Sequence, residues 1–400
     1  MKQKVIIIGH SFTSRLGIIR SVAEIGCEVT VVVMAWNNKI TKRLDKSTPI
    51  DCHSKYVNHV YYCYINDGEG LIRLLLEKCA DSKQKSIIIP DSDFAAVVVD
   101  KYQDKLKDYF LYPHINNTAG AVEHWMNKAV QKQLAREVGL NVANANIVKI
   151  ENGKYIVPKA ISYPCFTKAT ATISGGKQFF RRCDNEETLR QLLDKVSSRL
   201  DTEILVEDFK KIDEEYAVVG FSDGKNVVIP GVIKFIATSQ SHLGIARQGK
   251  ITSISGLEET IELFKTFIRK IGFYGLFDID FFQSNGLLYF VEMNLRFGGS
   301  GYAVTKMGVN LPGMFVKSMC GELYSDMNQF VTSSAVYVNE RMCMDDWYLG
   351  HITLKECHQY IDNADITFVG DTDDPNPNRS MRKVFLFTKF KKIIRNIIKK

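Results

Sequence analysis

No apolar run in these 400 residues approaches the ~20 that a membrane-spanning helix needs. The apolar run near the N-terminus, Val5 to Ile8, is too short for a signal peptide and reads as a strand. The nine cysteines are scattered, odd in number and without a Cys-x-x-Cys pair. That usage argues against a disulfide framework and a structural zinc site, and fits a reducing cytoplasm. G-x-G-x-x-G is missing, since after Gly9 the next glycine is Gly17, which argues against a nicotinamide-dinucleotide site. The Walker A pattern G-x-x-x-x-G-K-[ST] is missing too. No Ser-His or Cys-His arrangement stands out, so nothing demands a protein nucleophile. Acids are absent from the last stretch: from Met381 onward there are eight basic residues and no Asp or Glu, so of the net +7 the rest of the chain carries about −1. A nearly neutral body argues against nucleic acid as a partner.

What is present is ordinary for a folded chain of two or three domains, 45% hydrophobic and 24% charged. Val5 to Ile8 is fully apolar, as in a parallel sheet covered on both faces. Gly9-His10-Ser11 turns into a helix over Leu16 to Ile25, and Val29 to Met34 is the next strand. This is a strand–helix–strand opening of the Rossmann type. A further strand, Ser86 to Pro90, ends in Asp91-Ser92-Asp93. Ligands of open parallel sheets lie at such carboxyl ends, so the two aspartates either touch a ligand or cap the following helix.

The most informative stretch is Phe277 to Ser300. Two strands flank the turn signal Asn285-Gly286. Period two puts Asp278 and Asp280 on one face of the first strand, and Glu292 and Asn294 on one face of the second. A hairpin closing near Gly286 sets Asp280 about opposite Glu292. Facing carboxylates repel unless a cation lies between them. A hard divalent cation is the simplest answer, with Asn294 as a neutral oxygen ligand. Arg296 adds a fixed positive charge beside the glycine-rich Gly298-Gly299-Ser300-Gly301. The alternative is a surface hairpin with its acids in water, against which stand Phe281, Phe282, Tyr289 and Phe290.

Elsewhere, Asn127-Lys128 opens a helix to Val138, and strand Pro164 to Ala169 carries Lys168. Thr170 to Lys177 follows, a small-residue loop whose Gly175-Gly176 amides suit phosphate oxygens, with Lys168 and Lys177 as point charges, although a plain turn explains the glycines equally well. After a helix over Glu186 to Leu200 come Ile204 to Phe209 and the strand opening Asp213-Glu214-Glu215. Ser239, Ser241, His242 and Arg247 sit in a polar loop that either meets substrate or is a mobile surface loop. Glu258 to Ile271 is an amphipathic helix closed by Gly272. Lys306 faces either the site or solvent, and Asn310 and Pro312 cap a helix over Gly313 to Gly321. Ser333 to Glu340 reads as a strand and Asp371 to Asn378 as a turn-rich linker. Val384 to Ile398 is a basic amphipathic helix, which either meets a membrane surface or a partner, or packs back on the body.

Asp280 and Glu292-Met293-Asn294-Leu295-Arg296, with the ordered elements before them, resemble the ATP-grasp enzymes over roughly Met1 to Gly321. The first acid is Asp where Glu is commoner. The resemblance implies an α/β and α+β chain: a Rossmann-like pre-ATP-grasp domain (1–115), then a two-lobed ATP-grasp domain (116–325) with a small lobe of about 145–210 and a large lobe of about 211–325. A C-terminal extension (326–378) and the basic amphipathic tail (379–400) follow. It implies nucleotide contacts for Lys128, Lys168, Gly175, Gly176, Lys177, Glu207, Phe209 and Glu215, with Glu214 a near alternative. It implies metal ligation by Asp280, Glu292 and Asn294, and a catalytic Arg296. Gly9, His10 and Ser11 become candidates for holding substrate. The implied cofactors are ATP and Mg²⁺ or Mn²⁺. The implied activity is carboxylate–amine ligation through an acyl phosphate. Activation of bicarbonate, as in carboxylases or carbamoyl-phosphate enzymes, is the alternative, and no biotin-carrier motif is present. A different class is a non-catalytic nucleotide-binding protein docked at a membrane. The expected partners are small carboxylates and amines, a second copy of the chain, and anionic lipid at the inner membrane surface if the tail takes it.

Overall fold

The computed structural model describes residues 2–10, 12–35, 49–170, 179–242 and 244–398, with side chains as far as Phe387. Three sheets organise the chain. The first is parallel: β1 (Lys4–Gly9), β2 (Glu28–Ala35), β3 (Val57–Tyr64), β4 (Ser86–Pro90) and β5 (Phe110–Leu111), in the order β3-β2-β1-β4-β5. The continuous apolar run of β1 has its reason here. Val5 and Ile7 enter one buried cluster and Ile6 and Ile8 another, so both faces are covered. The helix after β1 spans Phe12–Glu24, starting four residues before the sequence suggested.

The second sheet, of five antiparallel strands, includes Cys165–Ala169, Thr202–Asp208 and Ala145–Glu151. Helix Glu186–Ser197 buries Leu189, Leu192, Leu193 and Val196 against it. The third sheet has nine strands. Its main path runs from Leu287–Asn294 through Phe273–Ser284, Glu214–Asp223, Val232–Thr238 and Ala246–Thr252 to Ala335–Val338 and Ile366–Thr367. Helix Glu258–Ile271 covers one face, packing Ile261, Phe264, Phe267 and Ile268 with Phe281 and Phe290. On the other face Ala217, Val219 and Phe221 share a core with Ile18, Ile19 and Val22 of the first helix and with Val5 and Ile7 of β1. One apolar cluster thus joins the parallel sheet to the nine-stranded sheet, and the cavity described below takes its lining from both.

Several expectations are corrected. Asp371 to Asn378 is no linker: Asp374 is fully buried and a helix begins at Pro375 and runs to Ile398. Arg20 Nε donates to Asp374 Oδ2 at 3.0 Å, and the same guanidinium donates to the carbonyls of Phe368 and Val369. A buried carboxylate held so far along the chain staples the C-terminal segment to the first helix. The strand expected over Ser333 to Glu340 is only Ala335–Val338, because Asn339 caps a helix, Glu340–Leu349. The Glu340 carboxylate turns inward and accepts the amides of Phe368, Val369 and Gly370. The final helix packs on the body where it is described: Met381 is buried and Phe385 lies against Trp347 at 5.1 Å between ring centroids. Lys306 is half-exposed and pairs with Asp371 at 3.3 Å, away from the cavity.

Arg20→Met removes the guanidinium that pairs with the buried Asp374 carboxylate and frees the carbonyls of Phe368, Val369 and Asp374. Breaking a buried pair this way costs about 3–5 kcal/mol. Urea unfolding is expected to show a correspondingly lower midpoint, and an unchanged midpoint would contradict the staple.

Candidate active site

The hairpin sets the site. Asn285 and Gly286 both take positive φ, 49° and 78°, as a two-residue turn of the primed type requires. From there the pairing is Ser284 with Leu287, Gln283 with Leu288, Phe282 with Tyr289 and Phe281 with Phe290. Continued unbroken, Asp280 would face Val291, and Glu292 would point with Phe290 into the core. Instead the register shifts by one residue, so that Asp280 pairs with Glu292, Ile279 with Met293 and Asp278 with Asn294. Val291 is the extra residue of a β-bulge, and it re-aims the polar half of the strand. Ile279, Phe281, Phe290 and Met293 stay in the core while Asp278, Asp280, Glu292 and Asn294 line a cavity of about 610 Å³.

Three half-buried carboxylates thus line one cavity. Burial pushes the Asp280 carboxyl well above its usual range, and the Asp278 and Glu292 charges push it further. Asp278 is raised as well, chiefly by burial, with Arg296 opposing. Glu292 differs: burial works against its charge, but Lys128 holds it below the usual range. The Lys128 ammonium donates to Glu292 Oε2. The lysine expected at phosphate therefore neutralises a carboxylate expected at metal. Its helix, Lys128–Glu137, is capped by Asn127, and the Lys128 amide donates to the Thr170 carbonyl at 2.8 Å. This bond ties the helix start to the strand that carries Lys168.

Arg296 forms the opposite wall. Its Nε donates to Asp93 Oδ1 at 2.7 Å, so it bridges the hairpin and the carboxyl end of β4. The glycines after it are close-approach positions: a Cβ on Gly298 would stand 2.7 Å from the Asp278 carboxyl carbon. Gly299 has nothing within 4 Å of such a Cβ and lines the cavity.

Lys168 lies deeper. Its Nζ is 2.8 Å from Glu207 Oε2, and Lys132 Nζ is 2.9 Å from Glu207 Oε1. Burial opposes the Glu207 charge, yet the two lysines hold its carboxyl below the usual range, while Lys132 is lowered by burial to about 8. Glu215 lines a second cavity of about 510 Å³ with Lys234 and Phe235. It pairs with Phe282, and Ala217 with Asp280, so Glu215 shares the pleat face of Ala217, a residue that lines the first cavity. Glu214 is engaged elsewhere, accepting from Lys234 and Tyr216. The Phe209 amide donates to the Pro164 carbonyl at 3.0 Å, so that donor is already used, and the ring lies under Arg182. Gly175, Gly176, Lys177 and Ser11 lie outside the described residues.

Reading the sequence missed three residues. Asp278 was placed on one face with Asp280 but not among the expected ligands, and it lines the same cavity. Lys132 was not singled out, yet it lies one turn beyond Lys128 on the same helix face and is 2% exposed. Ser92, not either aspartate, caps the helix after β4 by accepting from Ala95 N, so Asp91 and Asp93 remain in the cavity wall. Conversely, the expected mobile loop is pinned. Ser239, Ser241 and Arg247 all donate to the buried Asp346, and His242 lies 3.2 Å from Asp345.

The hairpin and cavity groups offer chiefly oxygen to a cation, which suits a hard divalent ion. Among the described residues no group of three or more Asp, Glu, His or Cys is placed so that it could hold a metal ion by itself. A cation completed by water and phosphate oxygens fits that donor set better than a caged one.

The raised Asp280 carboxyl gives a pH signature. The folded chain keeps a proton that the unfolded chain releases above about pH 4, so this group makes stability fall as pH rises through that range. Asp280→Asn removes the penalty. It is expected to raise the unfolding free energy by about 1–2 kcal/mol at pH 7.5 and by much less near pH 4. Denaturant titrations at the two pH values check this, and a variant no more stable than wild type at pH 7.5 would contradict it.

Residues 133–311 match the model of the ATP-grasp domain family. The chain is 24% identical over 201 residues to the carbamoyl phosphate synthase large chain of Gemmatimonas aurantiaca, covering 48% of this chain and 18% of that one. It is 22% identical over 276 residues to the formate-dependent phosphoribosylglycinamide formyltransferase of Wolinella succinogenes, covering 68% and 67%. The chain spans about a fifth of the length of the carbamoyl phosphate synthase large chains it matches. Among solved structures it is similar to N5-carboxyaminoimidazole synthetase from Staphylococcus aureus complexed with ADP, at TM-score 0.64 and 16% identity over 90% of this chain and 87% of that one. It is also similar to an L-amino acid ligase from Bacillus licheniformis, at TM-score 0.61 and 16% identity over 84% and 79%. The mixed α/β architecture, the hairpin with its Glu292-x-Asn294-x-Arg296 run, and the family match agree. The chain carries an ATP-grasp domain over residues 133–311.

Proposed function

We propose that this chain is an ATP- and Mg²⁺-dependent ligase that activates a substrate carboxylate as an acyl phosphate and joins it to an amine, releasing ADP and phosphate. The observation that carries the reading is the register-shifted pair Asp280–Glu292, set in one cavity with Lys128 and Arg296. A bound Mg²⁺ would screen the phosphate charge as the phosphoryl group moves. Asp280, Glu292 and Asn294 would hold it, with Asp278 beside them. Lys128 would leave Glu292 for phosphate when a divalent cation takes its place. Lys168 and the Gly175-Gly176 and Lys177 loop would hold the remaining phosphates, Glu207 and Phe209 the base, and Glu215 the ribose. A substrate carboxylate oxygen then bonds the γ-phosphorus as the bond to ADP breaks. Arg296 steadies the phosphoryl group and the later oxyanion. The amine nitrogen displaces phosphate and loses a proton. We read the parallel sheet as the Rossmann-like leading domain of about residues 1–115, the hairpin sheet as part of the large lobe, and the sheet over 145–208 as the small lobe. A homodimer and a cytoplasmic site of action go with this reading. Exposed Leu386 and Phe387 on the last helix keep open its contact with anionic lipid or a partner.

A second reading, activation of bicarbonate, draws on the names of the relatives, carbamoyl phosphate synthase among them. ADP release with Mg²⁺ over a panel of carboxylates, each with and without amines, separates the two. The ligase reading expects release that needs both an acid and an amine, and a loss of about 10²–10³-fold in Glu292→Gln. Release needing bicarbonate alone would replace it with the second reading.

A further inference from the structure

We propose that the Asp91 carboxylate, at the end of β4, is the seat of a primary ammonium group on the amine substrate, which loses one proton to water before its nitrogen attacks the acyl phosphate and a second as the amide forms. The inference deepens the ligase reading and rests on it. Asp91 is 4% exposed and lines the same cavity as Asp280, Glu292 and Arg296. Ser14 Oγ donates to its Oδ1, while its Oδ2 has no hydrogen-bond partner among the described residues. A buried carboxylate oxygen left unpaired is costly, and such positions mark where a ligand completes the set.

The neighbouring cations are committed elsewhere. Arg15 gives Nε to Asp51 Oδ2 at 2.5 Å, Nη2 to Asp51 Oδ1 at 3.1 Å and Nη1 to the Gly9 carbonyl. Arg296 gives Nε to Asp93 and Nη1 to the Phe297 carbonyl. Capping is excluded as a role, because Ser92 fills it. Gly9 makes the position reachable in the fold: a Cβ there would come within 2.9 Å of Asp91 Cβ. Ile65, just past the end of β3, and Phe94, in the first turn of the helix after β4, line the same cavity and supply an apolar surface. An anion beside apolar side chains selects a cationic head on an apolar body. A neutral donor would satisfy the lone pair and leave the charge, whereas an ammonium answers both.

The test uses the full chain and n-butylammonium chloride as the probe. A saturable rise in Tm is expected with n-butylammonium and not with n-butanol plus sodium chloride. The rise should vanish in Asp91→Asn and persist in Ser14→Ala, which keeps the charge. In the reaction, with any acid that supports ADP release, Asp91→Asn should lose at least tenfold more kcat/KM with n-butylamine than with hydroxylamine, which is largely uncharged at pH 7.5. A wild-type Tm unmoved by n-butylammonium, an equal rise in Asp91→Asn, or equal losses with both nucleophiles would overturn the assignment. ADP release with no acid at all would instead defeat the ligase reading, and the Tm comparison would still judge Asp91 on its own.

Discussion

Like charge held together in a buried place is the constraint on which this structure turns. Asp278, Asp280 and Glu292 converge on one wall, and among the described residues Lys128, Lys168 and Arg296 answer them. A protein that merely needed a stable hairpin would not keep the arrangement, because burial and mutual repulsion both raise the cost of ionising Asp280. Such strain marks functional sites, and a ligand of opposite charge relieves it.

The rest of the fold serves that constraint. The bulge at Val291 lets one strand bury Phe290 and Met293 on one face and still present Glu292 and Asn294 on the other. Helix Glu258–Ile271 backs the apolar side. The parallel sheet closes the polar side and delivers Asp93 to Arg296. The C-terminal segment is part of the same body: Asp374 fastens it to the first helix, and Asp346 gathers the loop that would otherwise swing beside the cavity. Asn339 and Met342 of that segment line the cavity wall, so the far end of the chain takes part in shaping what enters.

Local patterns were legible in the sequence; partners distant in the chain were not. Asn285-Gly286 announced the turn, and alternation announced which acids face each other, because both are short-range geometry. The need for a bulge was hidden in the count: only a one-residue shift makes Asp280 meet Glu292 across a two-residue turn. Lys132 and Asp346 carry no local sign of burial, since what buries them is Glu207 and Arg247, far along the chain. Asp374 looked like a turn residue in a run of Asp, Pro and Asn, and Arg20 made it a core residue. Ser92 and its flanking aspartates are all good caps, so composition alone did not choose among them.

The central claim is that these carboxylates share a divalent cation with a nucleotide. Mn²⁺, whose free form gives a sharp magnetic-resonance signal, tests it most directly. Titrated into the chain with ADP, Mn²⁺ should be held more tightly than by ADP alone or by the chain alone, and the excess should vanish in Asp280→Asn. A free Mn²⁺ signal no lower with chain and ADP together than with ADP alone would contradict the account.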